Sequence, residues 1–178
     1  MGKNQWGAVV LMTAAVAVAS CGQDREGAPV ANAPERVADA RYAYALSHDA
    51  AGTYVPVGDY ALRNWRLKQI VVGGGEAFTG WQAAGRASSA APLKLVFEDG
   101  QDINPETGQA RTLTLIPAAF DLRDDEVVIE AVSGGLGEVR FDGALDSGAA
   151  DGAVALTGQL KIGTQTFEDA ELKLKTGG

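Results

Sequence analysis

The sequence has few of the groups that usually carry catalysis or bind metals. Its 178 residues include one cysteine and one histidine. One cysteine cannot form an internal disulfide, and together with one histidine it cannot supply the four ligands of a structural zinc site. We therefore expect no disulfide framework, no metal and no cofactor.

Basic side chains are also scarce, with 15 lysines and arginines against 23 aspartates and glutamates. The formal charge of −8 is opposite to the basic face that nucleic-acid-binding proteins present. It also opposes electrostatic adsorption to anionic membrane surfaces. We therefore predict no nucleic-acid partner, and any membrane attachment must come from lipid rather than from charge.

The single histidine lies in the sequence Ser47-His48-Asp49. These residue types form catalytic triads, but a triad is a spatial arrangement that adjacent residues do not make. A solvated loop histidine is the simpler interpretation. No phosphate-binding loop, nucleophile elbow or pair of catalytic carboxylates is recognisable. We predict that the protein is not an enzyme, and an enzyme that uses carboxylates is the remaining alternative.

One acidic stretch carries oxygen-bearing side chains two residues apart, at Asp102, Asn104 and Glu106. An EF-hand loop needs glycine at its sixth position and glutamate at its twelfth. These positions hold Thr107 and Leu113 here. Because Asp, Asn, Pro and Gly are the usual turn formers, we predict a polar hairpin loop without a metal.

A long apolar run occurs near the N-terminus, where residues 6–20 carry no charge and follow Lys3. A spanning helix needs about 20 apolar residues, so this shorter, alanine-rich run does not favour a transmembrane anchor. A basic residue, an apolar run and then small residues are the layout of a secretory signal peptide.

The only cysteine, Cys21, ends this run. Val18-Ala19-Ser20-Cys21 resembles the lipobox of bacterial lipoproteins, in which an aliphatic and two small residues precede a cysteine. The resemblance covers the first 21 residues and implies cleavage before Cys21, lipidation of its thiol and a place in the bacterial cell envelope. Several acyl chains would anchor the chain firmly, at about 0.8 kcal/mol per buried methylene. The resemblance also implies the periplasmic side of the outer membrane in a Gram-negative cell, because Gly22 replaces the aspartate that favours inner-membrane retention.

We predict three segments: a signal peptide at 1–20, the lipidated Cys21 with a flexible tether at 21–50, and a single all-β domain at 51–178. Glycine, proline, alanine and charge dominate the beginning of the tether. Without residues 1–20 the side-chain charge is −9, because only Lys3 is lost.

Residues 34–47 fit two interpretations. Pro34 suits the first turn of a helix. Tyr42, Tyr44 and Leu46 instead alternate as in a strand. Both alternatives stay open, with a short helix favoured.

From residue 53 onward, turn signals recur at strand-length intervals. This pattern is typical of an antiparallel β-sandwich or a partly open β-barrel. The predicted strands cover residues 54–57, 60–72, 78–85, 93–98, 112–122, 126–132, 138–146, 153–162 and 166–175.

The clearest strand pair lies in the last third of the chain. Residues 139–145 and 154–160 both alternate apolar and polar side chains. Such alternation indicates a sheet with one buried and one solvated face. The short loop at 147–152 predicts that the two strands form a hairpin.

Gly143 and Gly158 both fall in the buried rows of this hairpin. A glycine inside a strand indicates a bend or the close approach of a ligand, and we favour the bend. Phe167 and Leu172 have opposite parity, which predicts a β-bulge near residues 168–169 that turns both inward.

Trp65 and Trp81 lie in predicted strands, with Tyr60 nearby. These aromatic side chains either belong to the core or line a ligand pocket at a barrel mouth. Together with Gly143 and Gly158 they form the candidate ligand-binding set. The favoured function is a lipid-anchored, non-enzymatic domain that binds another envelope macromolecule, such as a protein. The alternative is a carrier of a small apolar ligand or lipid.

Overall fold

The computed structural model describes residues 41–176, so the predicted signal peptide, Cys21 and the predicted tether up to residue 40 lie outside the described residues. The described part is built almost entirely from strands. In chain order the strands are Tyr42–Ala45 (β1), Gly52–Pro56 (β2), Ala61–Leu62 (β3), Trp65–Val72 (β4), Leu93–Ile103 (β5), Ala110–Leu115 (β6), Ala119–Arg123 (β7), Val127–Ser133 (β8), Gly137–Leu145 (β9), Val154–Ile162 (β10) and Gln165–Lys175 (β11). One α-helix, Gly75–Ala83 (α1), and a short 3-10 helix, Ser88–Ala90, connect β4 to β5.

All eleven strands belong to one mixed sheet that curls strongly into a half-barrel. Their order is β1-β7-β8-β9-β10-β11-β2-β4-β5-β6, and β3 pairs with β4 beside this path. β1 and β7 are parallel, and the other pairs are antiparallel. The all-β prediction is confirmed, and the curled sheet matches the partly open barrel rather than the sandwich.

The interior of the half-barrel is filled by the apolar rows of the strands. Cross-strand neighbours such as Phe141 and Leu160 pack on this inner face, as the alternation predicts. The largest fully buried side chains are Tyr54, Phe78, Phe97, Phe141, Leu67, Ile70, Leu93, Leu95, Ile129, Leu156, Leu160 and Ile162.

The predicted hairpin of β9 and β10 is confirmed, including its solvated face. On that face Lys161 is ion-paired with Glu138 at 2.7 Å. Arg140 bridges Asp142 at 2.8 Å and also contacts Glu130. Opposite charges on neighbouring strands thus cover the outer surface, while the inner rows remain apolar.

The predicted irregularity of β11 is also confirmed. Gly158 pairs with Ala170 and Leu160 with Phe167, so β11 contains one extra residue at positions 168–169. A second bulge lies in β10, where Ala155 is 2% exposed although alternation assigns it to the solvated face. Bulges reset side-chain parity, and for this reason simple alternation gives the wrong face at Ala155.

The strand predicted at 78–85 is wrong, because this segment lies mostly in α1. Gly74 is extended at the N-terminal boundary, and the helix terminates before Gly85, whose φ is +72°. Phe78 and Trp81 are three residues apart and therefore share one helical face, which is buried. A spacing of three residues places two side chains on one face of a helix but on opposite faces of a strand, so burial of both side chains fits the helix.

The helix favoured within 34–47 is also wrong for the described part, since Tyr42–Ala45 is strand β1. It pairs in parallel with β7, with Tyr42 opposite Phe120. The sheet therefore begins before residue 51. Tyr44 stacks on Phe78 at a centroid distance of 4.2 Å, and Tyr42 meets Trp81 edge-on at 5.3 Å. These contacts attach α1 to β1.

Two long predicted strands are each interrupted. The segment 60–72 turns at Arg63, which has a left-handed φ of +59°. The segment 112–122 breaks around Pro117, which has no amide hydrogen for the ladder.

Candidate functional site at the barrel mouth

Three turns and one hairpin lie at the same end of the half-barrel, and we call this end the mouth. It consists of the β3–β4 turn (62–64), the β8–β9 turn (134–137), the β10–β11 turn (163–164) and the outer β5–β6 hairpin (99–111). Two contacts join these parts. The amide of Gly100 donates to the carbonyl of Asn64 at 2.9 Å. A methyl group at Gly163 would lie 2.9 Å from Leu62 Cδ2 and 2.5 Å from the carbonyl oxygen of Leu136.

Trp65, Asp99 and Arg111 lie on three neighbouring strands at the mouth. Trp65 of β4 pairs directly with Asp99 of β5. The guanidinium carbon of Arg111, on β6, lies 5.7 Å from the centroid of the Trp65 ring. This distance permits a cation–π contact. Arg111 also lies 3.5 Å from the carboxylate of Asp102, so the ring and the acid together position this cation.

Among residues 41–176, Asp99 is the polar residue that is buried, and 5% of its surface is exposed. It lies near the mouth. Its carboxylate accepts the amide hydrogens of Gln101 at 3.0 Å and Asp102 at 3.3 Å. The hydrogen bond from Gln101 lowers the pKa of Asp99 the most, and Asn64 and Arg111 lower it further, whereas desolvation opposes them. A charged carboxylate therefore holds the base of the hairpin.

The polar loop predicted around Asp102 and Asn104 is confirmed as the tip of the β5–β6 hairpin. Asn104 Oδ1 accepts the amides of Glu106 at 2.8 Å and Thr107 at 3.2 Å. The side chain is thus used to build the turn. An open cavity of about 420 Å³ lies beside it, lined by Asp102, Asn104, Thr107, Gln109, Ala110, Arg111 and Thr112. Within residues 41–176, no group of three or more His, Cys, Asp or Glu side chains could hold a metal ion.

A second cavity of about 320 Å³ lies between the three turns of the mouth. Its lining is Leu62, Arg63, Gly134, Gly135, Leu136, Gly137, Gly163 and Thr164. Arg63 is the charged residue of this lining and is exposed. The turns approach closely because Gly163, with φ +57°, has no side chain. Glycine at this position of a two-residue hairpin loop is typical of a type II′ turn.

The predicted aromatic residues occupy different places in the fold. Trp65 is half-buried and lies at the mouth. Trp81 is buried on α1, and its Nε1 donates to the carbonyl of Ala87 at 3.0 Å. Tyr60 is buried beside Phe167, and its hydroxyl accepts the amide of Glu171 at 2.7 Å. Trp81 and Tyr60 thus satisfy their polar atoms within the protein.

Gly143 and Gly158 lie directly opposite each other in β9 and β10. A methyl group on Gly143 would lie 2.8 Å from the Cα of Gly158, and one on Gly158 would lie 2.6 Å from the Cα of Gly143. The close neighbour of each glycine is therefore the backbone of the other strand. Gly158 also lines an open depression of about 280 Å³ along the β11 bulge, with Glu168 and Asp169.

His48 lies outside the mouth, in the exposed loop between β1 and β2. Its Nδ1 is 2.7 Å from the hydroxyl of Ser47, and Asp124 accepts the amide of Ser47 at 2.8 Å. In a catalytic triad the carboxylate binds the imidazole, and the serine binds the opposite ring nitrogen. Here the carboxylate binds the serine, so this geometry does not activate a nucleophile.

Sequence reasoning missed Asp99 and Arg63. Asp99 continues the inward row of Leu93, Leu95 and Phe97, so parity could have shown a carboxylate turned inward. Arg63 gave no such signal, because its place depends on turns that are distant in the sequence. Within residues 41–176 no helix is long and apolar enough to span a bilayer. Comparison with protein-family models, with curated proteins and with solved structures gives no match for this chain.

Proposed function

We propose that the chain is a lipid-anchored, non-enzymatic protein of the bacterial cell envelope that binds another envelope macromolecule through the mouth. Cys21 carries the anchor, and the β-domain carries the binding surface. The outer membrane, on its periplasmic side, is the favoured location in a Gram-negative cell, given Gly22.

The observation that carries this proposal is the contrast between the interior and the mouth. The inner rows of the sheet are filled by the chain's own apolar side chains, many of them fully buried. The mouth instead exposes arginines, turn backbones and Ile103, whose exposed fraction is 53%. Exposed loops on a rigid sheet are where binding residues concentrate. This distribution supports a surface-binding domain over a carrier with an interior pocket.

The anchor is tested by intact mass spectrometry of the full chain expressed in a bacterial host, beside a Cys21→Ser variant. We expect a mass equal to the chain from Cys21 plus acyl groups, and no such species for the variant. An unmodified chain that starts at Met1 would contradict the anchor and the envelope location.

The binding surface is tested by photo-crosslinking in living cells. A benzophenone amino acid replaces Ile103 at the mouth, and a control variant carries it at Gln82, an exposed residue on α1 at the other end of β4. We expect a discrete crosslinked product from position 103 and none from position 82. The crosslinked partner is then identified by mass spectrometry.

Two results would contradict this function. One is the absence of a crosslinked product from position 103 and from a second mouth position, Thr164. The other is a stoichiometric apolar ligand detected by native mass spectrometry of the purified chain, which would favour the carrier alternative.

A further inference from the structure

Arg63 differs from the other arginines on the outer surface of the sheet. Arg66 is ion-paired with Asp59 at 2.6 Å, and Arg123 with Asp121 at 2.7 Å. Arg63 forms no ion pair or hydrogen bond through its side chain with any residue between 41 and 176. This is notable in a chain of net charge −8, where carboxylates outnumber cations.

The backbone around Arg63 holds it beside the cavity. Its φ of +59° is left-handed, a conformation that arginine rarely adopts. Strained residues of this kind persist where the surrounding structure fixes them, and they are found at ligand-binding sites. Here the turn that contains Arg63 is fixed by the hydrogen bond to Asn64 and by the contact between Leu62 and Gly163.

We propose that the cavity at Arg63 binds a phosphate group carried by the macromolecular partner. This inference rests on the proposed function and names the chemistry of the ligand. A guanidinium donates paired hydrogen bonds to a phosphate. The rest of the lining comes mainly from the glycine-rich turns at 134–137 and 163–164, where backbone can approach an anion without side-chain interference. The amide and the hydroxyl of Thr164 have no hydrogen-bond partner within residues 41–176.

The arrangement favours phosphate over carboxylate. A carboxylate is planar and is satisfied by one guanidinium in its own plane. A tetrahedral phosphate directs oxygens to several sides. The cavity is lined by donor-bearing residues of two different turns, Arg63 and Thr164, and its lining contains no carboxylate. Its volume of about 320 Å³ leaves room for the sugar or glycerol that carries the phosphate.

The charge of the whole chain favours a phosphate on a soluble or flexible partner over one in a bilayer surface. An anionic membrane repels a protein of this net charge, whereas a single phosphate in the cavity experiences mainly the local field of Arg63. We therefore expect binding of small phosphate compounds, and no preference for anionic over neutral vesicles.

The test is a titration of the ¹⁵N-labelled full chain in detergent micelles, followed by amide chemical shifts. The probes are inorganic phosphate, glucose 1-phosphate and acetate. We expect saturable shifts of the mouth amides with both phosphates in the millimolar range, and weaker binding of acetate. A parallel sedimentation assay tests a lipid headgroup as the source of the phosphate. It measures how much detergent-free Cys21→Ser protein sediments with phosphatidylcholine vesicles that contain or lack phosphatidylglycerol.

The matched variants are Arg63→Gln and Arg66→Gln, which remove the same charge three residues apart. We expect Arg63→Gln to weaken phosphate binding about tenfold or more, since charge-assisted hydrogen bonds are lost, and Arg66→Gln to leave it within about twofold. Arg63→Asn keeps the left-handed backbone and loses the guanidinium, so it tests binding in a chain that folds.

Three results would overturn this inference: no saturable shift with either phosphate, equal binding by wild type and Arg63→Asn, or equal affinity for acetate. Sedimentation with phosphatidylglycerol vesicles alone would assign the phosphate to a lipid surface and overturn the soluble source. If phosphate binding is absent while position 103 still crosslinks a partner, the proposed function stands and only the phosphate chemistry is wrong.

Discussion

At the scale of single residues, Gly143 and Gly158 lie directly opposite each other across β9 and β10. Alanine at either position would place its methyl group within 3 Å of the other glycine's backbone. Backbone atoms cannot move aside as a flexible side chain can, so the absence of Cβ permits the local geometry of the hairpin.

We predict that Gly158→Ala lowers the free energy of unfolding by about 1–3 kcal/mol, because overpacking strains both strands. Gly80→Ala is the matched control, since a methyl group there meets nothing within 4 Å. At this exposed position of α1 the control should raise stability by about 0.5–1 kcal/mol. Urea unfolding of both variants measures the difference, and equal stabilities would contradict the close approach.

Arg63 gives a second prediction at this scale. Asparagine adopts the left-handed conformation more readily than arginine. Arg63→Asn should therefore raise the free energy of unfolding by up to about 1 kcal/mol while abolishing phosphate binding. A variant that loses stability in urea unfolding would show that the guanidinium serves the fold rather than a ligand.

At the scale of elements, α1 is attached to the sheet by aromatic contacts among Tyr42, Tyr44, Phe78, Trp81 and Phe120. Centroid distances of 4.2–6.0 Å are typical of packed aromatic side chains. The helix fills space beside β1 and β7 that no strand occupies, so these side chains serve as core.

We expect Trp81→Ala to lower the free energy of unfolding by about 3–5 kcal/mol, as is usual for a buried tryptophan. Gln82→Ala, its exposed neighbour on the same helix, should change stability by less than about 0.5 kcal/mol. Thermal unfolding measures both. A Trp81→Ala chain of wild-type stability would instead favour the ligand-pocket interpretation of this residue.

At the scale of the whole molecule, three aspartates connect segments or fix loops. Asp124 holds Ser47, Asp151 holds Thr176, and Asp99 holds the base of the β5–β6 hairpin. In each case a backbone amide is the main cause of a pKa below the ordinary value of 3.8, namely the amides of Ser47, Thr176 and Gln101.

These pKa values predict how stability depends on pH. Because each carboxylate has a lower pKa in the folded chain than in the unfolded chain, the folded state binds fewer protons at acidic pH. The stabilisation is complete above the ordinary value of 3.8 and is lost as pH falls through the lower folded pKa values. Thermal unfolding of wild type should therefore show a loss of stability below about pH 4.

Asp151→Asn provides the control for this pH dependence. The asparagine side chain at position 151 cannot ionise, so the melting temperature of the variant should fall less steeply between about pH 4 and pH 2 than that of wild type. Identical slopes for the two proteins would show that Asp151 has the same pKa in the folded and unfolded states.

The sequence by itself determined the all-β class, most of the strands, the β9–β10 hairpin and the β11 bulge. It could do so because each depends on local alternation, parity and turn residues, which can be read directly from the sequence. It also predicted the polar hairpin loop around Asp102 and Asn104, and it left Trp65 open between the core and a barrel mouth. The lipid anchor on Cys21 stays a prediction from the sequence.

Only the tertiary structure decided the helical state of 75–83, the strand at Tyr42–Ala45 and the composition of the mouth. Phe78 and Trp81 are aromatic residues of the kind enriched in strands, but burial of both against β1 and β7 requires the shared face that a helix provides. Arg63 lines one cavity together with Gly135 and Gly163 because β3, β8 and β10 end at the same side of one curled sheet. Long-range strand pairing fixes this neighbourhood, and no local pattern encodes it.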